Sequence, residues 1–121
     1  MSDAQRSTAE TLVRHGDAAR HVPACVACHG DNLAGVEPAV PALVALPEDY
    51  IVAQLGSWRA GIRRSTPPDC MHDVAMALTP DEVQSVAAWL ARQSNPEGSR
   101  PAASHAAPLP LDCGAQRERA P

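Results

Sequence analysis

Apolar side chains return at three- and four-residue intervals in several stretches of this chain, the spacing of an amphipathic helix. Residues 8–20 carry Ala9, Leu12, Val13 and Gly16 on one stripe, and Pro23 ends the region. Residues 47–60 put Ile51, Leu55 and Trp58 on one face. Pro47 suits a first helical position there, Glu48 and Asp49 suit the positive N-terminal end, and Gly61 suits the stop. A short turn or helix is expected over residues 73–77. The clearest pattern is "LTPDEVQSVAAWLARQ". Thr79 caps it, Pro80 opens it, and Glu82 completes a capping box. Val83, Val86, Ala87 and Leu90 then repeat at helical spacing, and Asn95-Pro96 is the stop.

Between the first two helices, residues 30–46 are rich in Gly and Pro, and "GIRRSTPPDCM" separates the second from the third. Neither loop shows a strand pattern, so the expected fold is all-α, with about four helices. A chain of 121 residues fits one domain. The expected boundaries are a domain over residues 1–94 and a Pro/Ala-rich tail over residues 95–121. The tail contains "PLPLDC", an apolar piece expected to pack back at least as far as Cys113.

Composition sharpens this picture in one respect. Apolar residues make up 45% of the chain but aromatics only 2%, with no Phe. Large aromatic side chains usually supply much of a core's buried area. A domain without them packs Ala, Val and Leu, or draws buried area from a bound group. The net charge of −4 comes without a basic stripe, which excludes a nucleic-acid role. Every one of the 10 basic residues is Arg, so no docking surface can rely on lysines. No segment approaches the roughly 20 apolar residues of a membrane-spanning helix. The opening "MSDAQRSTAE" lacks the apolar core of an export signal.

The chemistry concentrates in "PACVACHGDN". Cys25-Val26-Ala27-Cys28-His29 has the spacing by which two thiols add across the two vinyl groups of haem, leaving the adjacent His to ligate iron. Two rivals share the pattern. A redox dithiol needs a βαβ setting, which this chain has no strands to build. A zinc site needs two more ligands, and Cys70, Cys113, His72 and His105 are isolated from one another. A haem held by His29 needs a sixth ligand, or an open position for a gas. A thioether opposite His raises the reduction potential. Met71 lies in the loop "TPPDCMHDVAMALT" and Met76 in the short helix that follows, while Met1 is terminal. Position favours Met71.

At this point "VPACVACHGDN", "PALVALPEDYIVAQLGSWRAGIRR" and "MHDVAMALTPDEVQSVAAWLARQ" together resemble the class I c-type cytochromes of the bacterial c4/c5/c553 kind. The resemblance covers about residues 8–94. It implies helices wrapped around one covalently bound haem c, attached through Cys25 and Cys28 with His29 as proximal ligand. It also implies an axial Met seven residues before the Leu that precedes the capping Thr, which selects Met71 and leaves Met76 to the core. It implies that the Pro41 carbonyl accepts the Nδ1 proton of His29. It further implies a close crossing of the first and last helices, with Gly16 against Trp89 as the candidate pair. Relatives of the c4 kind often carry two haem domains, whereas this chain has one motif.

Other residues follow from that reading. Arg59, Arg63 and Arg64 cluster where guanidinium groups can meet haem propionates. Tyr50 and Gln54, one turn apart, match polar positions at the haem edge. His72, His15, His21 and His105 are expected at the surface. Cys70 and Cys113 are left over once haem takes its pair. In an oxidising compartment they suggest a disulfide, with free thiols or intermolecular pairing as the alternatives. The implied function is electron transfer by an iron that binds no substrate, so the chain is a carrier and not an enzyme. Its expected partners are a donor dehydrogenase or cytochrome complex and an acceptor oxidase or reductase. A cytochrome subunit docked permanently to one dehydrogenase is the alternative. A haem-based gas sensor, or a non-haem dithiol or zinc protein, stands behind both. Haem attachment implies the periplasm, with the export signal removed from this chain. Because haem would fill a thin core, the apoprotein is expected not to fold stably.

Overall fold

The structure is a computed structural model that describes residues 1–94 and 99–116. Among the described residues, five α-helices follow in order: α1 (Asp3–Arg14), α2 (Cys25–His29), α3 (Glu48–Arg59), α4 (Cys70–Ala77) and α5 (Pro80–Ala91). Among the described residues there is no β-strand, only isolated bridges.

The helix ends obey local chemistry more closely than the apolar stripes do. α1 starts well before the expected residue 8, because Ser2 and Gln5 form a reciprocal capping box. It stops at Arg14, short of residue 20, because the chain turns at Gly16, whose φ is +69°. A Cβ there would fall on the backbone of Val22, Pro23 and Ala24. Gly16 therefore lies just beyond α1 and admits the segment leading into α2. The Trp89 ring receives the Arg14 guanidinium, 5.5 Å from its centroid. A 3₁₀ turn at Ala18–Arg20 completes the connection.

Pro47 is the N-cap of α3 and not its first helical residue. α4 begins at Cys70, three residues earlier than expected, because the Asp69 side chain accepts the His72 N–H. Met71 thus stands in the first turn of a helix and not in a loop. α5 has the expected Thr79–Glu82 capping box and ends at Ala91. The stop expected at Asn95-Pro96 lies outside the described residues.

α1 packs against α5, and α3 packs on both α5 and α4. Ala9 of α1 and Ala87 of α5 are fully buried in the same cluster, with Leu12, Val13, Val86, Trp89 and Leu90 around them. Small side chains here let helices approach closely. Each fully buried Val or Leu contributes about 1.5–3 kcal/mol of transfer free energy. Outside the core, the Arg20 guanidinium grips both Glu82 carboxylate oxygens, at 3.0 and 2.6 Å, and Asp17 at 2.7 Å. This fork fixes the turn after α1 to the start of α5.

Candidate functional site

α2 is a single short helix, and its period does the positioning. Cys25 and Cys28 are three residues apart and Cys25 and His29 four, so all three share a face. That face opens on a cavity of about 410 Å³. α3 supplies one wall through Ile51, Leu55 and Trp58; α4 supplies Met71 and Val74, with Leu78 at its C-cap; α5 supplies Val86 and Leu90. Cys25, Cys28, His29, Pro41 and Met71, chosen from the sequence, all line this one space. Met76 does not, and it is exposed instead of packed in the core as expected.

His29 is 7% exposed, and its Nδ1 lies 2.8 Å from the Pro41 carbonyl oxygen. A carbonyl only accepts, so Nδ1 carries the proton and Nε2 keeps its lone pair. Burial holds the imidazole below its ordinary range, against the opposing pull of the Pro41 hydrogen bond, so the ring is neutral. No buried side-chain nitrogen or oxygen among the described residues lacks a partner. Nε2, which makes no hydrogen bond, must therefore open on the cavity. Gly35 makes the Pro41 contact achievable: a Cβ there would lie 2.6 Å from the Val40 oxygen and 3.0 Å from the Pro41 carbonyl carbon.

The rival readings of the cysteine pair fare poorly. Burial pushes the Cys25 thiol up to about 11 and raises Cys28 as well. A dithiol redox centre needs a depressed thiol pKa. Among the described residues, no three His, Cys, Asp or Glu side chains converge as metal ligands. The cavity instead offers apolar walls, two thiols, one neutral imidazole nitrogen and one thioether, a donor set that fits haem c.

The arginines separate. Arg63 and Arg64 line the cavity, with Arg63 over the Trp58 ring at 5.1 Å and donating to Gln54 Oε1 at 2.5 Å. Arg59 does not line it; it donates to the carbonyls of Ala75 and Leu78 at 3.3 and 2.8 Å, where the C-terminal end of α4 needs partners. Tyr50 and Gln54 both line the cavity. His15 and His21 are exposed, as expected. His72 is half-buried and bonds the Trp58 carbonyl at 2.8 Å, tying α4 to α3. Burial raises the Asp69 carboxyl, but hydrogen bonds from Ser65 and His72 outweigh it and hold the group below the ordinary range.

Sequence reasoning named the Cys70/Cys113 pair and a tail that packs back, but missed the contact of that tail with α2. Cys70 and Cys113 are joined in a disulfide, with Cα atoms 5.3 Å apart. Leu109 and Leu111 line the cavity. His105, expected at the surface, is half-buried with Nε2 2.9 Å from the Cys28 carbonyl oxygen. A contact between residues 77 apart leaves no local signal to read.

No protein-family model matches the chain. It is 43% identical over 84 residues to the thiosulfate dehydrogenase electron acceptor of Thiomonas intermedia, covering 69% of this chain and 39% of that protein. It is 30% identical over 81 residues to cytochrome c-554(548) of Halomonas halodenitrificans, covering 64% of this chain and 98% of that protein. Among solved structures, a thiosulfate dehydrogenase from Marichromatium purpuratum superposes with a TM-score of 0.71 at 36% identity, over 78% of this chain and 20% of that one. The chain thus spans less than half the length of the thiosulfate-dehydrogenase acceptors it matches.

Proposed function

The chain belongs to the class I c-type cytochromes, and from that premise we propose that it binds one haem c through Cys25 and Cys28 and passes single electrons between redox proteins on the periplasmic side. The observation that carries this reading is the convergence of Cys25, Cys28, His29 and Met71 on one apolar cavity. Haem c supplies an iron that alternates between ferric and ferrous states. His29 would offer its Nε2 lone pair to the iron, held in the right tautomer by the Pro41 carbonyl. Met71 would offer its thioether as the second protein ligand. The walls from α3, α4 and α5 would exclude water and hold a low-dielectric pocket. Arg63 and Arg64 would be placed to pair with the propionates; Arg59 is occupied elsewhere.

The donor we propose is a thiosulfate-oxidising dehydrogenase, by analogy with the named acceptor relative. One observation favours the docked-subunit version of this function: a fold like this one forms a fifth of a longer thiosulfate dehydrogenase chain.

The test uses protein matured with haem and three spectra. Wild type and Met76→Ala are expected to show the thioether-to-iron band of the ferric form, and Met71→Ala to lose it. Retention in Met71→Ala with loss in Met76→Ala refutes the ligand set. Rapid reduction by a thiosulfate dehydrogenase supplied with thiosulfate supports the donor; reduction no faster than by thiosulfate alone overturns it.

A further inference from the structure

The C-terminal segment touches both halves of the site in turn. Ala102 pairs with the loop that carries Pro41: its N–H bonds the Gly35 carbonyl at 3.0 Å, and its carbonyl accepts from Glu37 at 2.8 Å. His105 then reaches the Cys28 carbonyl at 2.9 Å. Leu109 and Leu111, both half-buried, line the cavity. Cys113, 4% exposed, is bonded to Cys70, the immediate neighbour of Met71. The Gly114 N–H bonds the Pro68 carbonyl at 3.0 Å, and a Cβ at Gly114 would collide with the carbonyls of Thr66 and Pro67. The backbone on the Met71 side is thus matched to a tail without a side chain at that point.

We propose that residues 102–114 are a strap bracing the Met71 side of the cavity against the Cys28–His29 side, with His105 and Cys113 as positioning residues for the thioether ligand. This rests on His29 and Met71 being the axial pair. α4 has only eight residues, and the loop before it is tied down mainly by Asp69. The strap therefore limits how often Met71 swings away and leaves a vacant ligand position, and its leucines keep water from reaching that position.

Carbon monoxide reads this directly. It binds ferrous haem only when the thioether is off, so its binding rate scales with the population of that open form. Three holoproteins are compared with wild type: one whose Cys70–Cys113 bond is reduced with a phosphine and alkylated, the double variant Leu109→Ala/Leu111→Ala, and the control Leu12→Ala. Leu12 is buried in the core away from the cavity. Both strap forms are expected to bind carbon monoxide at least about tenfold faster than wild type, the signature of a tenfold larger open population. Leu12→Ala is expected to melt earlier with an unchanged rate, which separates positioning from general stability. Rates within about twofold of wild type in both strap forms, or an equal acceleration in the control, overturn the strap. Absence of the thioether-to-iron band from wild type itself overturns the ligand assignment instead.

Discussion

Gly35→Ala tests how the neutral His29 is held. Gly35 has a φ of +91°, which an L-residue adopts at a cost of about 1–2 kcal/mol. The new Cβ would stand 2.6 Å from the Val40 oxygen, well inside the 3.4 Å at which ordinary contact begins. It would also stand 2.9 Å from the Ala42 nitrogen. Segment 40–42 must therefore retreat by most of an ångström. The His29–Pro41 hydrogen bond, 2.8 Å long, then stretches beyond useful range, a loss of about 1 kcal/mol. Stiffening of the unfolded chain offsets the total by about 0.4–1 kcal/mol. The net expectation is a holoprotein destabilised by about 2 kcal/mol in guanidinium unfolding, with an unchanged slope. A less basic His29 donates less to ferric iron, so the reduction potential rises. A variant within about 0.5 kcal/mol of wild type, with the wild-type potential, would refute the claim that Gly35 sets the Pro41 contact.

Two further outcomes follow. The Glu82 carboxyl is held below its ordinary value of 4.5, first by the Arg20 hydrogen bond, with burial opposing and the Thr79 N–H adding support. A depressed carboxyl contributes stability that is present above its unfolded value and is lost as pH falls through the folded one. Wild type should therefore lose stability below about pH 4.5, while Glu82→Gln should be weaker at neutral pH and converge with wild type in acid; parallel curves would rule this out. Cys25→Ala/Cys28→Ala, which cannot hold the cofactor covalently, should show no cooperative thermal transition, and a sharp calorimetric peak would contradict the dependence of the core on haem.

Much of the site was legible because its chemistry is local. The Cys25–His29 spacing and the Thr79–Glu82 box each fit within five residues, and both point to features the structure contains. Helix limits were less legible. Ser2 and Gln5 start α1 through polar hydrogen bonds, where a search for apolar stripes sees nothing. α2 has too few residues for a period to show and is fixed by the packing around it. The start of α4, expected at residue 73, hid behind Pro67 and Pro68, which read as loop, although Asp69 caps it. Arg59 and His105 bond carbonyls brought to them by tertiary packing, at Leu78 and Cys28. Side-chain type alone identifies such donors, not their acceptors.

The walls of the cavity also carry a timetable. Cys25 and Cys28 leave the ribosome before α4, α5 and the segment ending at Cys113. Were the walls to close without the group, burial would lift the Cys25 thiol to about 11 and leave it a poor nucleophile. In the open chain both thiols keep ordinary acidity and stand clear of any wall. Thioether formation is therefore easiest before the later half of the polypeptide docks. On the proposed haem reading, closure of the walls therefore follows attachment, and the bound group completes the core around which they close.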